Sequence, residues 1–443
     1  MESQRPYLSF SQIINMNVGF FGIQYSFGLQ QTAINPLYTL LEAKPEELPL
    51  LNLAGPVTGL LIQPIIGAMS DRTWSPRWGR RKPYFLVGAV CCSLCLFLFP
   101  FSRELWMAAG LLWILDAANN TAMEPYRAFI ADKLSPAQQA TGFLTQSFFT
   151  GLGITLANLS LYGFKYLLGG GDDPVEGRIP AWVYGSFFFG ALCSIGSVWY
   201  STATTAEEAP SPEEINRMRN ASTGFSAPFR DIWVAIREMP VVMWRLAAVY
   251  LFQWYAMFCY WQFVSLSIAK SVWKTDSTDL VLYGEAVAWT GLVNGFYNIV
   301  TFLSAFGLAW LANIWNPRYV HALCLAAASV GLLVFPFIAD KYLLFAPMVG
   351  FGVAWASMMG IPYLLVMNDI PRERFGVYTG IINMMIVVPM IIQTLTFGWV
   401  YERFLDKDPN LAIVFAGGLL ALAALITLNV RSSPSRNPHV SHS

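Results

Sequence analysis

Charge is what this chain has least of. Lys, Arg, Asp and Glu together make up 12% of 443 residues, and the basic and acidic counts are equal, so the formal net charge is zero. That balance offers no electrostatic footprint for a nucleic acid, and none is expected as a partner. Histidine is nearly absent too: His321 stands alone in the body of the chain, with His439 and His442 in the tail. Without a His/Cys ligand cluster most metalloenzyme readings fall away, and neither a metal nor a cofactor is expected. All six cysteines sit in apolar segments. Cys92-Ser-Leu-Cys95 has a redox or metal spacing, but in lipid it reads as small residues at helix contacts. Met1 to Arg5 is polar and the first apolar run is full spanning length, so no cleavable leader is expected. A membrane enzyme acting on lipid or glycan would need catalytic side chains gathered at a membrane face. The outer loops hold no such grouping of His, Ser or Cys, and the chain is read as not an enzyme.

What fills the space is apolar. Hydrophobic residues account for 55% of the chain and mean hydropathy is +0.48, far from the composition of a soluble domain. A bilayer-crossing helix takes about 20 apolar residues, and twelve such spans are expected. They lie near 9–38, 48–70, 83–101, 105–131, 138–167, 181–201, 241–269, 284–313, 318–338, 342–369, 375–404 and 410–430. The fold class is therefore all-α: a polytopic membrane protein with an N-terminal six-helix half (1–201) and a C-terminal one (241–430). A polar linker (202–240) joins them, and a short tail (431–443) follows. Within the linker, Ser211-Pro212-Glu213-Glu214 has the form of a capping box with proline at the first helical position, which predicts a short surface helix. Lys and Arg outnumber their outer counterparts two to one on the segments that face inward if both ends are cytoplasmic. The positive-inside rule then places both termini in the cytoplasm. Two six-span halves about a charged linker suggest a duplicated transporter with its solute site at their interface.

Ionisable groups inside a span are expensive to bury and mark solute or ion handling. The fourth span carries Asp116, Asn119, Asn120, Glu124 and Arg127. At 100° per residue Asp116, Asn120, Met123 and Arg127 fall on one stripe. Asp116 and Arg127 lie eleven residues apart, about 16 Å of rise, too far for a direct ion pair. In the first span Gln24, Gly28, Gln31 and Asn35 form a second stripe at steps of four, three and four. The seventh is dense in aromatics and amides (Gln253, Trp254, Tyr260), the eighth holds Asn294, Tyr297 and Asn298, and the eleventh Asn383. Gln63 and Gln146 are further candidates. A few amides and aromatic rings in an apolar cavity is how a sugar is held, amides for its hydroxyls and rings for its apolar faces. The same residues also serve helix–helix packing, where they hydrogen-bond across a bundle. After the second span, Gly67-Ala-Met-Ser-Asp71-Arg72 runs into Arg77-Trp78-Gly79-Arg80-Arg81-Lys82-Pro83. Asp71, Arg72, Arg77, Arg80 and Arg81, with Glu124, are candidate gating charges at the inner mouth. The equivalent place in the second half, Gly307 to Asn313 and Pro317-Arg318, lacks the aspartate.

That loop resembles the signature loop of the major facilitator superfamily. Leu115-Asp116-Ala-Ala-Asn119-Asn120-Thr121 and Pro125-Tyr126-Arg127-Ala128-Phe-Ile-Ala131-Asp132 resemble the fourth helix of the sucrose–proton symporters, the plant sucrose carriers and their bacterial and animal relatives. Gly28-Leu29-Gln30, Gln63-Pro64 and the Gly79 to Pro83 stretch support the likeness, which covers the first 150 or so residues best. In the second half Pro362-Tyr363, Asp369-Ile370-Pro371 and Gly376 to Asn383 look like bacterial, glycoside-carrying members. The resemblance implies Asp116 as the protonation site and Arg127 as a sugar or coupling residue. Met123-Glu124 departs from the plant pattern, which has Gln-Gly there. The expectation is a monomeric carrier in the bacterial inner membrane that moves a disaccharide or small glycoside of the sucrose or maltose type with a proton. A sodium-coupled or uniporting glycoside carrier, or a transport-inactive sugar sensor of the same fold, stands as the alternative.

Overall fold

The computed structural model describes residues 7–134, 136–168, 179–207, 209, 215, 233–366, 369 and 375–430. Some helical side chains, those of Asp71 and Arg72 among them, lie outside that description. So do the linker's capping box and the tail beyond 430.

Twelve long helices carry the architecture. They are α1 (Phe10–Leu29), α2 (Ala54–Arg72), α3 (Lys82–Leu98), α4 (Leu105–Lys133), α5 (Pro136–Leu168), α6 (Ala181–Thr204), α7 (Val241–Ile268), α8 (Leu280–Ile314), α9 (Pro317–Val334), α10 (Phe345–Val366), α11 (Phe375–Phe404) and α12 (Pro409–Thr427). The starts are set by local chemistry. Ser9 and Gln12 form a reciprocal capping box at α1, and Asp279, Asn316 and Asp408 accept backbone N–H groups at α8, α9 and α12. By length and composition, nine helical segments of the described residues could cross a membrane. The long helices that fall below that threshold are α1, α4 and α5, whose polar side chains lower their hydropathy.

Helices α1–α6 pack on one another as one bundle and α7–α12 as a second. Repeated geometry relates them. A π-helical turn extends α1 (Gln30–Ile34) and another extends α7 (Ala269–Trp273), while a Phe-Pro-Phe 3₁₀ turn closes both α3 (Phe99–Phe101) and α9 (Phe335–Phe337). Past its π turn, the first span continues as a short helix, Asn35–Leu40.

The bundles meet on the side away from the chain termini. There α5 lies on α8, α2 on α11, and the π turn of α1 touches both α7 and α8. Lys165 pairs with Glu285 at 3.3 Å and Lys407 with Glu46 at 3.0 Å, both between bundles, and the Tyr162 and Trp289 rings stand edge to face at 5.9 Å. Towards the termini no described atom lies within 4 Å of a Cβ built at Gly360 on α10 or Gly380 on α11, and the Arg127 side chain is 43% exposed.

The Glu46–Lys407 clamp lies outside the spans. Burial alone would raise the Glu46 pKa, but its own backbone N–H and the Lys407 ammonium outweigh that and hold the carboxyl below its ordinary value. Hydrogen bonds to Glu402 and Glu46 raise Lys407. A lowered carboxylate contributes its stabilisation above the unfolded-state pKa and loses it as pH falls through the folded one. The coupling between Glu46→Gln and Lys407→Gln, read as a double-mutant cycle of melting temperatures, is therefore expected to be equal at about pH 7 and about pH 5.5, and to be lost only as pH falls below the ordinary carboxylate range.

Candidate functional site

The site is built outward from Asp116, in the middle of α4 and only 4% exposed. Gln30, first residue of the π turn, donates from Nε2 to Asp116 Oδ1 at 2.8 Å. Gly55 of α2 is the closest approach on the other flank: a Cβ there would stand 3.5 Å from Oδ2. One turn along α4, the Asn120 side chain accepts from Gln63 Nε2 (2.7 Å) and donates to Thr58 Oγ1 (3.1 Å) and to the Asp116 carbonyl (2.9 Å). Asn119 donates to Ser26 Oγ at 2.9 Å, and its own Oδ1 is buried without a partner. Among the described residues Asp116 is the one carboxylate counted with the buried side chains. A carboxylate held by a neutral amide, with no cation beside it, sits at the point where gain or loss of a proton changes local charge most.

The second bundle answers with aromatic rings. Trp254 and Trp261 of α7 both stand edge to face against Trp355 of α10, at 5.8 and 5.5 Å. Trp261 Nε1 donates to the Tyr297 hydroxyl at 3.3 Å, and the Tyr260 hydroxyl donates to Asn294 Oδ1 at 2.8 Å. Trp355 sits ten residues into α10 and Asp116 eleven into α4, each about 15–17 Å from the far-side end. Counted along their own helices, Trp355 and Asp116 thus occupy corresponding positions in the two bundles. Gln253 lies lower on α7 with His321 and Ser357: His321 Nε2 is 3.2 Å from Gln253 Oε1, and Nδ1 is 2.6 Å from Ser357 Oγ. Gln253 Nε2 and Trp254 Nε1 are buried donors without a partner among the described residues.

The candidate residues divide accordingly. Asp116, Asn119, Asn120 and Gln63 form one connected polar group, and Tyr260, Asn294, Tyr297 and Asn298 a second, with the Asn298 side chain donating to the Asn294 carbonyl at 2.9 Å. Gln24 is buried with its Nε2 against Met123 Sδ at 3.9 Å. Gln146 is buried on α5 and its Nε2 is unpartnered. Gln31 and Asn383 are half-buried and belong to neither group. Arg127 is partly exposed, with Glu124 one turn back at 3.8 Å. Of the candidate gating charges, Arg81 binds within its own bundle, to Asp132 at 2.9 Å and Ser70 Oγ at 2.6 Å. Arg80 donates to the Ser70 carbonyl, and Arg77 lies over the exposed Trp78 ring. Asp71 and Arg72 fall among the side chains outside the description. The sequence reading did not single out Gln30, Thr58 and Trp355 for the site. Two six-helix bundles around a buried polar group define a membrane carrier.

The Major Facilitator Superfamily pattern matches residues 16–394, and the chain belongs to that family. It is a multi-pass transporter, not an enzyme. It is 23% identical over 449 aligned positions to Sucrose transport protein SUC4 of Arabidopsis thaliana, covering 91% of this chain and 88% of that protein. With Sucrose transport protein SUT5 of Oryza sativa subsp. indica the identity is 25%, over 92% of this chain and 85% of the other. Among solved structures, the nucleoside transporter NupG superposes with a TM-score of 0.68 at 11% identity, over 95% of this chain and 98% of that one. The inward-open xylose transporter XylE from E. coli gives 0.63 at 16%, over 96% and 97%. These likenesses carry the twelve-helix fold.

Proposed function

We propose that this protein is a secondary active carrier that moves a disaccharide or other small glycoside, of the sucrose or maltose type, together with one proton by alternating access. The observation that supports the reading most is Asp116: a carboxylate buried at mid-span and held by Gln30 in one bundle, while the other carries the Trp254–Trp355–Trp261 wall. The relatives' names as sucrose transport proteins favour the same substrate class. In this reading the termini are cytoplasmic and the solute leaves between the bundles on that side, in a bacterial inner membrane, with a single chain as the working unit. Amides of Asn119, Asn120 and Gln63 take sugar hydroxyls, the aromatic wall takes a ring face, and Arg127 meets the sugar at the mouth. The coupling proton sits on Asp116 when the sugar is carried and leaves when the site wets on the inner side.

The test is uptake of labelled sucrose into proteoliposomes under an imposed inward proton gradient, with maltose, trehalose and glucose as competitors. Proton-driven accumulation that a disaccharide competes away is the expected result. Uptake that follows a sodium gradient at constant pH, or binding without any uptake, would replace this reading with a sodium-coupled carrier or a sensor.

A further inference from the structure

The π turn of α1 and the residue just past it make polar contacts with both bundles. A π-helical turn inserts one residue into an α-helix and frequently sits at functional sites. Here it has polar attachments on both sides. Gln30, at its start, binds Asp116 inside the first bundle at 2.8 Å. Thr32, two residues on, donates its hydroxyl to Asn158 of α5 and accepts from Asn294 Nδ2 of the second bundle at 3.0 Å. Asn294 in turn accepts from the Tyr260 hydroxyl at 2.8 Å. Asn35, just past the turn, donates to the Trp261 carbonyl of α7 at 3.4 Å and accepts from Asn52 at 2.6 Å. So one turn ties the buried carboxylate to the contact that closes the far side. Thr32 is fully used, as donor to one bundle and acceptor from the other. A shift of the turn from π to α geometry rotates everything beyond it by about 100°. Thr32 and Asn35 cannot keep both sets of partners through such a rotation.

We infer that the Gln30–Ile34 turn transmits the protonation state of Asp116 to the far-side seal, with Gln30, Thr32 and Asn294 as positioning residues. This rests on the reading of Asp116 as the coupling-proton site. An ionised Asp116 accepts a charge-assisted bond from the Gln30 amide, and a protonated one loses that assistance. The turn is then held less firmly, and the sealed arrangement is favoured less. The titratable groups facing Asp116 from neighbouring elements are the Tyr38 phenol on the extension of α1 and the Cys92 thiol on α3. From α2 comes Gly55. Neither phenol nor thiol supplies a cation that would compete with Gln30.

The test measures the seal itself and needs no substrate. Spin labels at Leu167→Cys (end of α5) and Leu343→Cys (before α10), both exposed on the far side, report the separation of the bundles. The half-buried Cys91 and Cys193 are replaced by serine. In sugar-free nanodiscs, lowering pH from about 8 to about 5 is expected to raise the longer-distance population roughly five- to tenfold, the effect of about one hydrogen bond on a two-state ratio. Thr32→Val and Asn294→Ala are expected to populate the longer distance at both pH values and lose the pH response. Thr32→Ser, which keeps the hydroxyl, restores it. A pH response retained in Thr32→Val or Asn294→Ala overturns the relay, as does a wild-type seal indifferent to pH. Loss of the response in Thr32→Ser overturns it as well, by making packing the cause. A response kept by Asp116→Asn overturns the assignment of Asp116 instead. Absence of glycoside uptake with the relay response intact overturns the transport reading alone.

Discussion

Asp116→Asn is expected to bring uphill accumulation down to simple equilibration while exchange of sugar across the membrane survives. One charge moving down about 100 mV supplies about 2.3 kcal/mol, enough for roughly 50-fold accumulation at about 1.4 kcal/mol per decade. Asn keeps the size of Asp and its ability to bond Gln30, whose amide is 2.8 Å away, so the cavity is conserved. What it removes is the ability to carry a proton. In proteoliposomes preloaded with unlabelled sugar, counterflow should therefore persist. With an imposed proton gradient and no internal sugar, the internal-to-external ratio should settle near one. A variant that still concentrates sugar would move the coupling site elsewhere, and loss of both activities would mark a residue needed for binding or folding.

The second large effect concerns the contact of α1 with α6. A Cβ at Gly22 would press into the Cys193 carbonyl oxygen and the Ser197 hydroxyl and lie 2.6 Å from Ser194 Cα, all of it on α6. The Gly22 N–H already donates to Ser197 Oγ at 3.1 Å, so the two backbones are as close as they can come. Small residues at helix contacts let membrane helices pack in this way. Because backbone rather than a flexible side chain stands in the way, Gly22→Ala is expected to cost about 2–3 kcal/mol, the upper part of the range for overpacked sites. Gly22→Leu should leave no monodisperse protein. Gly110 and Gly163 have no neighbouring atoms in that space, and Ala at either should be silent. Thermal melting in detergent, followed by size exclusion, compares the four. Equal melting of Gly22→Ala and Gly110→Ala would refute the close contact.

The spans were legible because length and apolarity are one-dimensional quantities. Even α1, α4 and α5, whose polar content keeps them below a hydropathy threshold, could be read from their neighbours and their length. The Asp116–Asn120 stripe on α4 was legible for a related reason: α4 keeps its 3.6-residue period there, so a step of four puts both on one face. The stripe on the first span was not. Its regular steps run through Gln31, yet the π turn at Gln30–Ile34 changes the phase and brings Gln30 to the carboxylate. Periodicity carries no sign of an inserted residue. Trp355 was hidden differently, for α10 is apolar on all sides and nothing in its pattern says which face meets α7. Arg127 shares a stripe with Asp116, but only the packing of the helices around α4 decides that one is buried and the other exposed.

The start of the linker has a mechanical consequence. Just past α6, the Glu207 carboxylate accepts the backbone N–H groups of Arg80, Arg81 and Lys82, at 2.6 to 3.1 Å. Gly79, at φ +79°, leaves room where a Cβ would strike that carboxylate. The cord between the two bundles therefore leaves the first one through a clip, much as a cable leaves its housing through a grommet. Under the proposed alternating access, a pull along the linker reaches the α2–α3 loop and the root of α3 before it reaches α6. The helix that packs so closely on Gly22 is spared the load.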